Sequence, residues 1–208
     1  MIRKNIRKKT KSIFPSEELE EKKDTITLVS PTNQYTFDKQ NKIGEGFHAC
    51  IYKAVDEHGQ KVALKIFDSD MFYIQESTCY DEIKKRQICS ETILCIVEHF
   101  RSDNENYEYV IVMPLLENYM DLNKALHLLN MDDYEKILNL LTDAIHELNK
   151  NHIYHSDINE SNIQVRIDPF DVKLIDFGNC RFEEQEDVQK DIEKLFSLLI
   201  PHSKKPNK

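Results

Sequence analysis

The chain has 208 residues, 40% of them hydrophobic and 31% charged, and a formal net charge of −9. At about 150 residues per domain this is one domain or two small lobes, long enough to bury a core without a disulfide or metal framework. Only four residues are glycine, which excludes collagen-like, linker and low-complexity chains and gives weight to each position: Gly44, Gly46, Gly59 and Gly178.

No stretch approaches the ~18 apolar residues of a transmembrane helix, so no membrane span is expected. The N-terminus is basic without an apolar segment behind it, which does not fit a Sec-type signal peptide. The five cysteines (Cys50, Cys79, Cys89, Cys95 and Cys180) form no C-x-x-C pair. An odd count without metal-ligand spacing predicts reduced thiols in a cytoplasmic protein, some of them small core residues. Residues 1–12 carry six positive charges and no acids, so the rest of the chain is strongly acidic. An acidic body argues against nucleic acid as a partner.

In chain order, residues 1–24 are charged and non-periodic and read as a flexible tail. Strand patterns follow at Thr25–Val29, Tyr35–Phe37, Lys42–Ile43, Cys50–Val55 and Lys61–Phe67. Asp56–Gly59 reads as a hairpin turn in which Gly59 supplies the positive φ. A modest helix is predicted over 76–90, with Tyr80, Ile83 and Ile88 at helical spacing. Cys95–Val97 and Tyr109–Met113 read as strands, the second closed by Pro114. The clearest helix is 132–150, with Asp132 and Glu135 as a capping box and Ile137, Leu141, Ile145 and Leu148 on one stripe. Short strands at 163–165 and 172–175 precede a last helix with Val188, Ile192, Leu195, Phe196 and Leu199 on one face, ended by Pro201. The pattern is α+β in two lobes: a β-rich first half with one helix, then a helical half with a small β element.

Four elements along this frame carry chemistry. The Gly44-Glu45-Gly46 turn lets backbone amides approach an anion, although a hairpin needing two glycines explains it equally well. Lys65 stands mid-strand among apolar neighbours and needs either a carboxylate or a route to solvent, and Glu82 on the next helix is the predicted partner. His155-Ser-Asp157-Ile-Asn159-Glu-Ser-Asn162 follows the long helix. Leu174-Ile-Asp176-Phe-Gly178 leaves a strand. Asp157, Asn162 and Asp176 offer oxygens of the kind hard Mg²⁺ ions take.

In this order the glycine turn, V-A-L-K, H-x-D-x-x-x-x-N and D-F-G motifs resemble the protein-kinase fold, over about residues 35–200. The resemblance implies an N-lobe at 25–113, a hinge at 114–117 and a shortened C-lobe at 118–208. It implies ATP and Mg²⁺ as cofactors: Gly44 and Gly46 over the phosphates, Lys65 on them and held by Glu82, and Asn162 and Asp176 on the metal. Asp157 would accept or orient the acceptor hydroxyl, with Asn159 in the catalytic loop. Pro114 and Leu116 would present backbone groups to adenine, Met113 would guard the pocket, and Asp121 would reach the ribose. His155 would brace the loop, and so would Asp191.

Departures from the family pattern narrow the likeness. Ala49 replaces the third loop glycine. Ser156 replaces the arginine that pairs with an activation-loop phosphate. Asn159 replaces a lysine near the γ-phosphate, a position where one lost donor is worth about 10²–10³ in rate. Only fifteen positions separate Asp176 from Asp191, too few for a full activation segment. In these features the chain is similar to the short bacterial type III effector kinases of the OspG and NleH type. That likeness implies a serine/threonine kinase acting on host protein substrates in the host cytosol, with ubiquitin or a ubiquitin-loaded conjugating enzyme as an activating partner. The alternatives are a pseudokinase or binding module that uses the acidic run Glu183–Glu193, a KEOPS- or RIO-like ATPase-kinase, a small-molecule phosphotransferase, and transfer of AMP in place of phosphate.

Overall fold

Alternating and continuous apolar runs in the first half build one antiparallel sheet. The computed structural model describes residues 24–182 and 188–203. The strands are β1 (Thr25–Val29), β2 (Gln34–Glu45), β3 (Ala49–Asp56), β4 (Lys61–Phe67), β5 (Glu98–Arg101) and β6 (Tyr109–Pro114), in the order β1-β2-β3-β4-β6-β5. β2 is a single strand where two short ones are predicted. Its register slips between Phe37 and Lys42, so the polar run Asp38–Asn41 is accommodated without breaking the strand. The β3–β4 turn is as predicted, with Gly59 at φ 81°. The predicted strand Cys95–Val97 lies just before β5, which starts at Glu98.

Helix α1 runs from Asp70 to Lys85, beginning six residues before the predicted helix. Its N-cap is Ser69, whose side chain accepts the Met71 amide, one of the orphan donors of a first turn. The added residues bring Tyr73 onto one buried stripe with Glu76, Tyr80 and Ile83 against the sheet. The C-lobe contains β7 (Met120–Asp121), α2 (Leu122–Ala125), α3 (Met131–Lys150), β8 (Ile163–Arg166), β9 (Asp171–Leu174) and α4 (Val188–Ser203). β7, β8 and β9 form a second small sheet. α3 has its capping box two residues earlier than predicted: Asn130 and Asp133 exchange side chain-to-backbone hydrogen bonds. α4 continues past Pro201 to Ser203, and Phe196 on its predicted apolar face is 36% exposed.

Two apolar clusters line the two faces of the main sheet. One holds Leu28, Tyr35, Phe37, Val62, Leu64 and Ile66. The other runs from Ala63, Phe67 and Met113 through α1 into α3, α4 and the small sheet, joining the lobes in one core. β4 is thus buried on both faces, which makes its lone cation expensive to place.

The cysteines differ from expectation. Cys79 is bonded to Cys180 and Cys89 to Cys95; Cys50 alone is free. Motif spacing cannot show a pair 101 residues apart, which depends on α1 packing against the loop after β9. The acids Glu183, Glu184, Glu186 and Asp187 lie outside the described residues, as do residues 1–23. Asp191 is 5% exposed and so belongs to no acidic surface. Among the described residues no helix is long and apolar enough to cross a membrane.

Leu141 is fully buried at the centre of α3. Leu141→Ala is expected to cost about 2–5 kcal/mol in urea denaturation without changing the m-value, since it leaves a cavity and not a looser fold.

Candidate active site

Sheet register brings the first two motifs together. Gly44 is paired with Ile51, Ile51 with Lys65, and Lys65 with Ile111. Residues in one row share a face, so the glycine turn lies two strands, about 10 Å, from Lys65 along that row. Met113, two residues beyond Ile111, is on the same face. The Gly46 amide donates to the Ala49 carbonyl at 2.8 Å, closing the turn, and Phe47 stands 94% exposed at its tip.

Lys65 points from this face into the gap beneath α1. Its Nζ lies 2.6 Å from Glu76 Oε2 and 2.9 Å from Asp176 Oδ1. Burial works against the Lys65 ammonium, but the two carboxylates more than offset it and raise its pKa. Burial also pushes Glu76 up, to about 7, against the pull of Lys65. Both shifts retain protons at the pair. Asp176 is less enclosed: burial opposes its charge, but Lys65 and the Gly178 amide hold it below the usual carboxylate range.

Glu82, the predicted partner, is not part of this cluster. Its carboxylate takes Lys85 and Arg86 on the outer face of α1. The reason is helical phase. Glu76 lies one turn before Tyr80 on the buried stripe, whereas position 82, six residues on, is rotated from it by about 120°.

The loop after α3 is braced from several directions. Asp191 accepts the His155 and Ser156 amides at 2.8 and 3.1 Å, as the sequence reading anticipates for this residue. Ser156 has φ 61° and Asp176 φ 64°, sparsely populated values for residues with a Cβ that the surrounding bonds must impose. His155 is fully buried, donates from Nε2 to the Ile175 carbonyl at 3.0 Å and packs on Phe177. It therefore ties the two motif loops together.

Asp157 sits in a cradle of amides. Asn159 Nδ2 donates to its Oδ1 at 3.1 Å, and Asn162 Nδ2 and Asn179 Nδ2 donate to its Oδ2 at 3.1 and 3.2 Å. Asn159 also caps the 3₁₀ turn Glu160–Asn162 through its Oδ1. Asn179 was not foreseen, and its place directly after D-F-G is the only sequence signal it carries. A recess of about 360 Å³ beside Asp157 is lined by Ser156, Arg181, Lys190 and Lys194.

The remaining predicted positions divide. Met113 is buried, Pro114 exposed and Leu116 half-buried on the segment joining the lobes. The larger cavity there, about 530 Å³, also touches Leu116 but opens between this segment and Ser90–Cys95; Lys65, Asp157 and Asp176 are not among its lining residues. Asp121 caps α2 and pairs with Lys124 at 2.6 Å, so its carboxylate is already engaged. The oxygens of Asp176 and Asn162 fit a hard divalent cation by type, and Lys65 beside them supplies a fixed positive charge for an anion.

Two outcomes follow from this geometry. Glu76→Ala leaves a buried cation short of its nearest partner and is expected to cost about 3–5 kcal/mol in urea denaturation, while Glu82→Ala leaves the midpoint unchanged. Burial holds the His155 imidazole below its ordinary pKa. The unfolded chain therefore takes up that proton first, and the stabilisation by neutral His155 is complete above about pH 6.5 and lost as the pH falls. NMR titration should find the His155 ring of the folded protein still neutral at pH 6.5; a ring half-protonated there contradicts the assignment.

Comparison with known proteins agrees with this arrangement. Residues 37–194 match the model of the protein kinase domain. A probable cell division control protein 7 homolog from Encephalitozoon cuniculi is 30% identical over 152 residues, covering 71% of this chain and 41% of that protein. The probable serine/threonine-protein kinase zyg-1 of Caenorhabditis briggsae is 29% identical over 154 residues, 72% of this chain and 21% of its own length. Cyclin-dependent kinase 9 of Rattus norvegicus is 27% identical over 158 residues, 70% of this chain and 41% of its own. The chain thus spans less than half the length of these relatives. The matched region contains every element that positions Lys65, Asp157, Asn162 and Asp176, and the chain belongs to the protein kinase domain family.

Proposed function

We propose that the chain is a minimal ATP- and Mg²⁺-dependent serine/threonine protein kinase. The observation that carries this reading is Lys65 bridging Glu76 and Asp176, residues of a strand, the helix after it and a loop 111 residues on. An ammonium held between two carboxylates has no packing role that an apolar side chain would not fill better. It suits a site where a polyanion and a cation displace part of this network.

In this reading Lys65 contacts the nucleotide phosphates, Glu76 fixes its direction, and Gly44 and Gly46 lay backbone over the same phosphates. Met113 bounds the adenine pocket, with the Pro114 carbonyl and Leu116 amide at its edge. Asp176 and Asn162 hold the metal. Bound Mg-ATP supplies the transferable phosphoryl group and the charge neutralisation that such transfer needs. Asp157 receives the proton of the acceptor hydroxyl, and its amide cradle keeps the carboxylate oriented without adding a formal charge. Asn159, which stands where the family has a lysine, is therefore a positioning residue for Asp157. It does not restore the missing positive charge, and slow turnover is expected.

The likeness to secreted effectors, with host proteins as substrates and ubiquitin as activator, rests on Asn159 and the short Asp176–Asp191 interval. The pseudokinase reading draws on Asn159 as well. Both are resolved by one assay. With radiolabelled ATP, Mg²⁺ and casein as acceptor, with and without ubiquitin or a ubiquitin-loaded conjugating enzyme, label should transfer. Asp157→Ala should lower the rate by about 10²–10⁴-fold. The mass added should be that of a phosphoryl group and not an adenylyl group. Equal transfer by Asp157→Ala, or no transfer in any arm, overturns the kinase reading.

A further inference from the structure

We propose that the Cys79–Cys180 pair is a redox lock that fastens helix α1, and with it Glu76, to the D-F-G loop. The inference rests on the kinase reading for its functional consequence but not for its structural one. Cys79 is three residues after Glu76 on α1 and fully buried. Cys180 is two residues after Gly178 and 8% exposed. Cys180 is itself held on both sides. Its amide donates to the Phe177 carbonyl, and the next residue, Arg181, exchanges two backbone hydrogen bonds of 2.9 Å with Tyr154 at the start of the Asp157 loop. The bond therefore joins α1 to a point already anchored to the catalytic loop.

Other contacts cross the same gap. Lys65 bridges it through charge, Tyr80 meets Phe177 edge to face at 5.4 Å, and Gly178 approaches Glu76 so closely that a Cβ there would lie 3.3 Å from Oε2. With only fifteen positions between Asp176 and Asp191, there is little chain in which a phosphorylated segment could brace α1. A covalent cross-link performs that bracing by removing the states in which α1 swings away.

The chemistry is thiol–disulfide exchange with a small-molecule disulfide such as oxidised glutathione. The Cys180 thiolate, the more accessible of the two, attacks one sulfur of the small disulfide and releases the first thiol. The Cys79 thiolate then attacks Cys180 Sγ and releases the second. One S–S bond forms in the protein and one is lost from the oxidant. Two electrons pass to the oxidant, and the two protons leave with the two glutathione thiols. An excess of monothiol reverses both steps.

The test uses the full chain in a Cys89→Ser/Cys95→Ser background, which removes the second disulfide. The protein is equilibrated with oxidised glutathione or with a reducing phosphine, and free thiols are counted by alkylation and mass spectrometry. Amide exchange of α1 and affinity for a fluorescent ATP analogue with Mg²⁺ are then measured. We expect a 79–180 link in the oxidised form. On reduction, α1 exchange should rise and nucleotide affinity fall, each by about tenfold. Cys180→Ser should behave as the reduced form under both conditions. Absence of the link after oxidation, or α1 exchange and affinity indifferent to it, overturns the lock. If neither form binds nucleotide, the kinase reading fails, and α1 exchange still decides whether the bond fastens the helix.

Discussion

A lysine ammonium in the middle of a strand buried on both faces is the constraint around which this protein is arranged. Lys65 has Val62, Leu64 and Ile66 on one side of its strand and an apolar core around α1 on the other. Left alone there, the charge would be neutralised or the strand would move. Glu76 and Asp176 prevent both. To do so, α1 must present one particular turn to the sheet, and the loop after β9 must return beneath it. The positive φ at Asp176 and the bond from the buried His155 to the Ile175 carbonyl follow from that return.

The second motif loop depends on the first through short range links. His155 joins the Asp157 loop to the D-F-G loop, Asp191 holds the strained Ser156 backbone from α4, and Asn179 reaches back from the D-F-G loop to Asp157. Such a network is worth more as a unit than bond by bond, because each bond fixes the geometry of the next. It also accounts for a catalytic loop built on asparagines. Three amides orient Asp157 with no added formal charge.

Most of the frame was legible from the residues. β4 and the long helix α3 carry strong periodic patterns and cap signals, and of the motif residues the fold brings Lys65 to Asp176 and Asn162 to Asp157. What was illegible is long-range or depends on a helix boundary. The expected partner of Lys65, Glu82, gives way to Glu76, which lies one turn before Tyr80 on the buried stripe; which carboxylate of a helix meets a strand lysine is decided by packing that no motif records. The Cys79–Cys180 bond and the Asn179 contact join residues by tertiary packing, and no local pattern records either. Asp121, expected at the nucleotide, is taken by a helix cap that a four-residue helix made hard to foresee.

The central claim is that Lys65 and Glu76 act as one buried unit and not as two separate polar residues. A double-mutant cycle on stability, with Lys65→Met, Glu76→Gln and the double variant in urea denaturation, measures that directly. The account predicts that the double variant is less destabilised than the sum of the singles, with a coupling of about 1–3 kcal/mol. Additive effects, with coupling near zero, would contradict it.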